Sequence, residues 1–484
     1  MLTLNEMFLA ILPELSIFTL AGIVLFQGIF FRNKDKRWAG WITFGGLLVI
    51  MLLSLTLVPM PQKSMLIFGQ MLRVDMVSWG LTPVLITGAA LTVLLSLVNK
   101  DLYTNEEYFV LLLFSLIGMI LMVSASDIIM LYLAIETTSL PLFVLAGFVV
   151  NDQKSVEAGI KYLLFAAVTS AIMLYGFSLL YGFTGSTQLD EIAVLLQQNA
   201  VPLSAVALSL IMVLVGFFFK ISAVPFQFWA PDVYEGAPAP VTGFLSTASK
   251  LAGFVVLMRV VYTVFSLNTV AWAPLIMAAS LGSMIVGNLL AIPQKNIKRL
   301  LAYSSIAQAG YMLIGVSTGT VNGVSASLYY LMAYLVTNLA AFGVVVLISR
   351  ALGSSEISAF AGLSRRSPYL ALMMLVSLLS LAGIPPFAGF AGKLLVFSSG
   401  IEQNLVWLVF IAIINTIIGL YYYLSVLKVI YLYHSEGEDQ PLKANPYGLA
   451  ALIVCVIAIL LMGVWIGPGY TLSHQMALNL LGLP

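Results

Sequence analysis

The sequence predicts an all-α integral membrane protein. It is expected to have fourteen transmembrane helices, with two inverted five-helix repeats (spans 4–8 and 9–13) and breaks in helices 7 and 12. Three observations lead there. Of 484 residues, 61% are apolar and only 8% charged, against about 25% charged in a soluble domain. The apolar residues run on for about 20 positions at a time, as helical spans need, instead of in the short alternating segments of a membrane barrel. Finally, the few charges inside those runs gather near proline breaks, the signature of helices interrupted along an ion pathway.

In chain order the spans read 7–31, 39–59, 76–98, 108–125, 127–149, 160–184, 203–230, 241–266, 271–293, 300–318, 323–349, 369–400, 404–433 and 447–467. The start MLTLNE has neither a basic flank nor a small-residue cleavage site, so Met7–Phe31 reads as a retained span. Only Ser126 and Asp127 separate the fourth span from the fifth. The seventh contains Pro225 and the twelfth contains Pro385 and Pro386, residues that lack the N–H a helix needs. The longest connections are 60–75, 185–202 and 350–368, and two segments in them, Leu189–Gln198 and Ser355–Leu363, are candidates for short interfacial helices. The chain divides into an N-terminal three-helix segment (1–107), a first half-channel (108–266), a second (267–434) and a C-terminal helix (435–484).

Lys and Arg set the orientation. Fourteen of them lie in odd-to-even connections or within two residues of one: Arg32, Lys34, Lys36, Arg37, Lys100, Lys154, Lys161, Lys295, Lys298, Arg299, Arg350, Arg365, Arg366 and Lys443. The even-to-odd connections hold Lys63 and Arg73. Cytoplasmic loops carry the excess, so both termini are expected outside, on the periplasmic side of a bacterial inner membrane. That requires an even number of spans.

Five cations remain inside spans: Lys220, Lys250, Arg259, Lys393 and Lys428. Glu136 is the clear mid-span acid, nine residues after Asp127, or about 13 Å along a helix. A charge at that depth costs at least ~2.5–3.5 kcal/mol and has to be paired, hydrated or neutralised. Lys428, six residues before His434, reads as a side chain reaching the headgroups. Arg259 reads as structural, because a guanidinium does not usefully release its proton. Lys220, Lys250 and Lys393 are different. Burial disfavours a lysine's charge and a nearby carboxylate favours it, so a lysine held between the two can load and unload a proton.

Lys220 and Lys393 stand 173 residues apart. Carried forward by that interval, Glu136 reaches position 309 beside Gln308, and Lys250 reaches Tyr423. Polar residues thus recur at matching places five spans apart. An odd interval reverses membrane orientation, which gives an inverted repeat. Tyr303, Ser304, Ser305, Gln308 and Tyr311 could line a water path in the second half.

Composition excludes much. A single cysteine, Cys455, permits no disulfide within the chain and no thiolate-held iron–sulfur cluster. Two histidines, His434 and His474, make a histidine-ligated haem or metal improbable. The net charge of +1 gives no footprint for nucleic acid.

Four segments carry a family resemblance: LYLAIETTSLPLFVLAGF (131–148), FKISAVPFQFWAPDVYEGAPAPVTGFLSTASK (219–250), NIKRLLAYSSIAQAGYML (296–313) and LSLAGIPPFAGFAGK (379–393). The chain resembles the antiporter-like membrane subunits of respiratory complex I, and the PDVYEGAPAPV stretch is similar to subunit N rather than to its L or M paralogues. The resemblance implies a proton-pumping channel in a proton-translocating NADH:quinone oxidoreductase. Glu136 would be the fifth-span glutamate that modulates Lys220, the lysine of the broken seventh helix. Lys250 would connect the halves, and Lys393 would lie near the outward exit. Some relatives have histidine where this chain has Gln308. This chain would hold no cofactor or metal; FMN, iron–sulfur clusters and quinone are expected in partner subunits. Its own partners would be neighbouring membrane subunits and the lipid bilayer. The alternative is a cation/proton antiporter or a subunit of one. A sodium site wants several hard oxygen ligands, and the mid-span carboxylates amount to Glu136.

Overall fold

The computed structural model describes residues 4–30, 37–61, 63–198, 201–266, 269–434, 441–442 and 444–483. Arg32, Lys34, Lys36 and Lys443 of the basic set lie outside them. Helices come first: α1 (Leu4–Ala10), α2 (Leu12–Phe30) and α3 (Trp38–Thr56). The chain then forms an antiparallel hairpin of β1 (Met65–Ile67) and β2 (Leu72–Val74), with Leu66 opposite Arg73. This small sheet departs from the all-α expectation. Its turn sets Phe68, Gly69 and Gln70 at positive φ, and the three-residue strands MLI and LRV are too short to register against the long apolar runs beside them.

α4 (Met76–Ser96) and α5 (Lys100–Tyr103) follow, and then the first half: α6 (Glu106–Ser124), α7 (Ile128–Ala146), α8 (Gln153–Thr184), α9 (Leu189–Gln198), α10 (Leu203–Ile221), α11 (Trp229–Gly236), α12 (Ala239–Phe244) and α13 (Lys250–Thr263). The second comprises α14 (Thr269–Ala291), α15 (Ile297–Thr318), α16 (Val321–Leu352), α17 (Leu363–Arg366), α18 (Pro368–Ala382), α19 (Ala388–Glu402) and α20 (Val406–Leu432), before α21 (Pro446–Val464) and α22 (Ile466–Leu480). α9 matches its expected segment. The expected helix at Ser355–Leu363 is instead a 3-10 turn, Ile357–Phe360. α22 was not anticipated; it packs back against α16 and α4.

Among the described residues, twelve helices are long and apolar enough to cross a membrane. Of the fourteen expected spans, the first appears as the shorter Leu12–Gly28 and the twelfth is cut at its prolines, leaving Pro368–Ala382. α16 is almost wholly buried and forms the spine of the second half, touching α15, α18, α19, α21 and α22.

Local geometry recurs between the halves. α7 starts behind Asp127, whose carboxylate accepts from the next turn, and α15 starts behind Asn296, whose amide oxygen does the same. Ile128 N–H donates to Thr187 and Ile297 N–H to Ser355, each at 2.9 Å. α8 and α16 are both 32 residues long and end on left-handed glycines, Gly185 and Gly353. At the breaks, α10 stops at Ser222 and α18 at Gly383, both left-handed, and a cis X-Pro bond follows in each case. The 173-residue interval between the lysines is not the register of these features. Asp127 and Asn296 stand 169 apart, which places Glu136 on Ser305 and Ser139 on Gln308. Pro225 and Pro386 stand 161 apart, which places Lys220 on Leu381. Loop lengths absorb the difference.

Candidate functional site

Lys220 ends α10 just before the break, fully enclosed, and its Nζ donates to Ser139 Oγ on α7 at 2.9 Å. Glu136 lies one turn earlier on α7, half-buried, and accepts from Ser170 of α8. Glu136 and Lys220 make no ion pair; Ser139 occupies the lysine's reach, and the carboxylate acts on it only through space. Ser139 is thus a site residue that the sequence did not single out. Gly253 on α13 is another. A Cβ there would come within 3.0 Å of Lys220 Cγ, so the missing side chain leaves room for the lysine stem. Pro225 sits at the break, where Val224 N–H, freed from the helix, donates to Ser283 of α14 at 2.9 Å. Trp229 Nε1 caps the Phe219 carbonyl at 3.1 Å.

Lys250 opens α13 directly after a π-helical turn, Leu245–Ser249. Such turns are rare and gather at functional places. Its ammonium donates to the Ser305 carbonyl at 2.9 Å and to Ser305 Oγ at 3.1 Å. The neighbouring Ser304 Oγ is 2.5 Å from Tyr423 Oη, and Gln308 Nε2 reaches that phenol at 3.2 Å. Gln308 also donates to the Leu381 carbonyl at 2.9 Å and accepts from Tyr330. Lys393 Nζ donates to the same Leu381 carbonyl at 2.9 Å and to Ala382 at 3.1 Å, and stands 4.7 Å above the Tyr311 ring. Leu381 and Ala382 end α18, where helix carbonyls are orphaned and the dipole favours a cation. Pro385 and Pro386 open that end. Of the five expected path residues, Ser304, Ser305 and Gln308 join a polar file between Lys250 and Lys393, and Tyr311 lies under the Lys393 ammonium. Tyr303 is half-buried and makes no hydrogen bond to the file.

Arg259 fits its structural reading. It is 2% exposed and pairs with fully buried Asp75 at 2.8 Å, while also donating to the Val123 carbonyl at 2.8 Å. Asp75 was missed in the sequence because it sits at a span edge, just after the unforeseen hairpin. Lys428 is exposed beside the Tyr433 ring, as snorkelling requires.

A second group of charges surrounds a cavity of about 180 Å³ at the end of α11. Asp232 takes Lys161 and Arg299, each at 2.7 Å, and Glu235 takes Lys154 and Arg299, each at 3.0 Å. Burial alone would raise both carboxyls. The hydrogen bonds from Lys161 and Arg299 to Asp232, and from Lys154 and Arg299 to Glu235, outweigh it and hold both below the ordinary carboxylate range.

Enclosed lysines at interrupted helices, inside a bundle of long apolar helices, are the architecture of an ion-translocating membrane protein. Residues 125–419 match the family described as NADH:quinone oxidoreductase/Mrp antiporter, TM. NADH-quinone oxidoreductase subunit N of Heliobacterium modesticaldum is 39% identical over 455 residues, covering 93% of this chain and 94% of the relative. Subunit N of Desulforamulus reducens is 38% identical, covering 98% and 99%. A chain of respiratory complex I from Thermus thermophilus with bound aureothin superposes with a TM-score of 0.80 at 31% identity, over 96% of this chain and 99% of that one. A chain of the Mrp complex from Dietzia shares the fold, with a TM-score of 0.85 at 20% identity, over 99% of this chain and 98% of that one. The chain therefore belongs to the NADH:quinone oxidoreductase/Mrp antiporter membrane family, as a subunit N, in agreement with its motifs.

Proposed function

We propose that this chain moves protons across the membrane as a membrane-arm subunit of NADH:quinone oxidoreductase, driven by quinone reduction in neighbouring subunits. The observation that carries the reading is the set of three enclosed lysines. Lys220 and Lys393 flank helix breaks, Lys250 follows a π-turn, and a polar file runs between the last two. In this reading the chain crosses the membrane fourteen times, with both termini on the periplasmic side of a bacterial inner membrane. Two inverted half-channels (108–266 and 267–434) lie between an N-terminal segment (1–107) and a C-terminal one (435–484). Lys154, Lys161, Lys298 and Arg299 line or neighbour the cavity at α11, which fits a cytoplasmic entrance on the basic face.

A proton entering there reaches Lys220 as an added N–H. A shift in the distance between Glu136 and Lys220 changes the lysine's affinity for it. Lys250 receives it next. Gln308 joins Tyr423 to the Leu381 carbonyl that Lys393 also holds, but cannot itself take up a proton, so transfer to Lys393 requires water beside Gln308. Lys393 then releases the proton outward. Electrons move in partner subunits, through FMN, iron–sulfur clusters and quinone. A cation/proton exchanger would instead need several oxygens around a metal ion, and Glu136 brings one carboxylate beside one hydroxyl.

The test is Lys220→Ala in the assembled complex, reconstituted in liposomes. Acidification and coupled quinone reduction should fall while electron transfer from donor to an artificial acceptor persists, and Lys220→Arg should not restore pumping. Normal acidification by Lys220→Ala would refute the relay. Acidification that needs sodium would favour exchange.

A further inference from the structure

The second half carries a cavity that the relay does not use. It measures about 280 Å³ and opens between the α14–α15 connection and α20, lined by Gln294, Lys295, Glu356, Ser425 and Tyr422 among others. Lys295 belongs to the basic face. At the cavity's inner wall, Tyr422 Oη donates to Asn288 Oδ1 at 3.1 Å. Asn288 Nδ2 in turn faces the Met284 carbonyl at 2.8 Å, Tyr311 Oη at 3.0 Å and Asn415 Oδ1 at 3.4 Å. Tyr311 is the residue whose ring lies under the Lys393 ammonium. A line of polar contacts therefore runs from the basic face to the lysine that must discharge on the opposite side.

We propose that Asn288 insulates this line: it closes the hydrogen bonds between the two tyrosines and stops a proton from passing. An amide offers a carbonyl acceptor and two N–H donors, and neither changes its protonation state near neutral pH. A hydroxyl, a carboxyl or a water at that place would receive on one side and give on the other. The surroundings keep water out. Asn288 and Asn415 are buried, and Gly419 packs so near that a Cβ there would lie 3.0 Å from Asn288 Oδ1. The Tyr422 ring also packs against Tyr423, with centroids 4.4 Å apart, and the Tyr423 hydroxyl belongs to the lateral file through Ser304 and Gln308. Without such a block, a proton loaded at Lys393 could return to the face it came from, and quinone reduction would proceed without net transport.

This inference rests on the proton-transport reading, and the experiment separates the two. Asn288→Asp places a titrating group between the tyrosines. Complex carrying it, reconstituted in liposomes at rest, should leak protons several-fold faster than wild type, and acidification per electron should drop while uncoupled quinone reduction stays unchanged. Asn288→Leu should remain tight and fully coupled. Lys393→Ala combined with Asn288→Asp should return the leak to the wild-type level. Should Asn288→Asp fail to assemble, Asn415→Asp brings a carboxyl to the same contact and should leak likewise. An assembled Asn288→Asp complex as tight as wild type would overturn the proposal. So would a leak indifferent to Lys393, or loss of pumping in Asn288→Leu, which would make the line a route. If the transport reading itself fails, wild-type complex produces no acidification during turnover, a result independent of the resting leak.

Discussion

Among the described residues Lys220 has one hydrogen-bond partner, and it is a hydroxyl. Ser139 therefore holds the ammonium, and in the proposed relay Glu136 acts on it from a distance. A hydrogen bond to a charged group is worth about 1.5–3 kcal/mol, so Ser139→Ala should slow acidification measurably without lowering the amount of complex. Glu136→Asp should keep part of the turnover per assembled complex, and Glu136→Gln should lose more. Equal turnover for Gln and wild type would remove Glu136 from the mechanism. Gln308 gives a test in the opposite direction. Gln308→His puts a titrating ring between Tyr423 and the Leu381 carbonyl and should preserve pumping, whereas Gln308→Leu should depress it; equal rates for the two would show that the file is not used. The lysines and Glu136 were legible in the sequence because charge within an apolar run is costly. Ser139, Gly253 and Tyr330 were not, because a serine, a glycine or a tyrosine in a membrane helix costs little and draws no attention.

The interrupted helices could be foreseen from proline alone, but what satisfies their ends could not. The end of α10 is closed by an indole and a serine from elsewhere in the chain, and the end of α18 by Lys393. These partners lie 10 to 59 residues further along the chain, outside any local helical pattern. The 169-residue register was likewise hidden, since Asp127 and Asn296 share a capping role and not an identity. Past its break, α11 is pinned by ion pairs to α8 and α15, so the first half is tied electrostatically to the helix that bears the lateral file. This contribution depends on pH in a definite direction. Asp232 and Glu235 titrate lower when folded, so their stabilisation is present above the unfolded carboxyl value of about 4 and is lost as pH falls through the folded values. Thermal denaturation of the solubilised complex should show an acid-side loss that Asp232→Asn partly flattens. An unchanged acid slope in Asp232→Asn would mean that the cluster contributes nothing.

For the molecule as a whole, the long apolar runs and the positions of the basic residues made the membrane class legible, and four motifs identified the family. The hairpin and α22 were not legible, and both bear on one buried tie. Asp75, just past the hairpin, caps α4 and pairs with Arg259 of α13, which also reaches the end of α6; Met76 N–H donates to Asn479 of α22 at 3.1 Å. Removing one member of a buried pair costs about 3–5 kcal/mol because the other charge is left behind. Arg259→Leu should therefore lower the amount of assembled complex on native gels. Asp75→Asn, which keeps a capping oxygen, should recover much of it in the double variant. Normal assembly of Arg259→Leu with reduced turnover would instead make Arg259 part of the transport path.

The two carbonyls at the end of α18 have one more consequence. A lysine that has given up its proton still carries two N–H groups, and Leu381 and Ala382 offer two acceptors. Lys393 can therefore stay in place whether loaded or empty, like a fixed mooring. Lys220 is held by one serine among the described residues, a single tie. In the proposed relay the same side chain is thus moored by two ties in one half of the molecule and by one in the other.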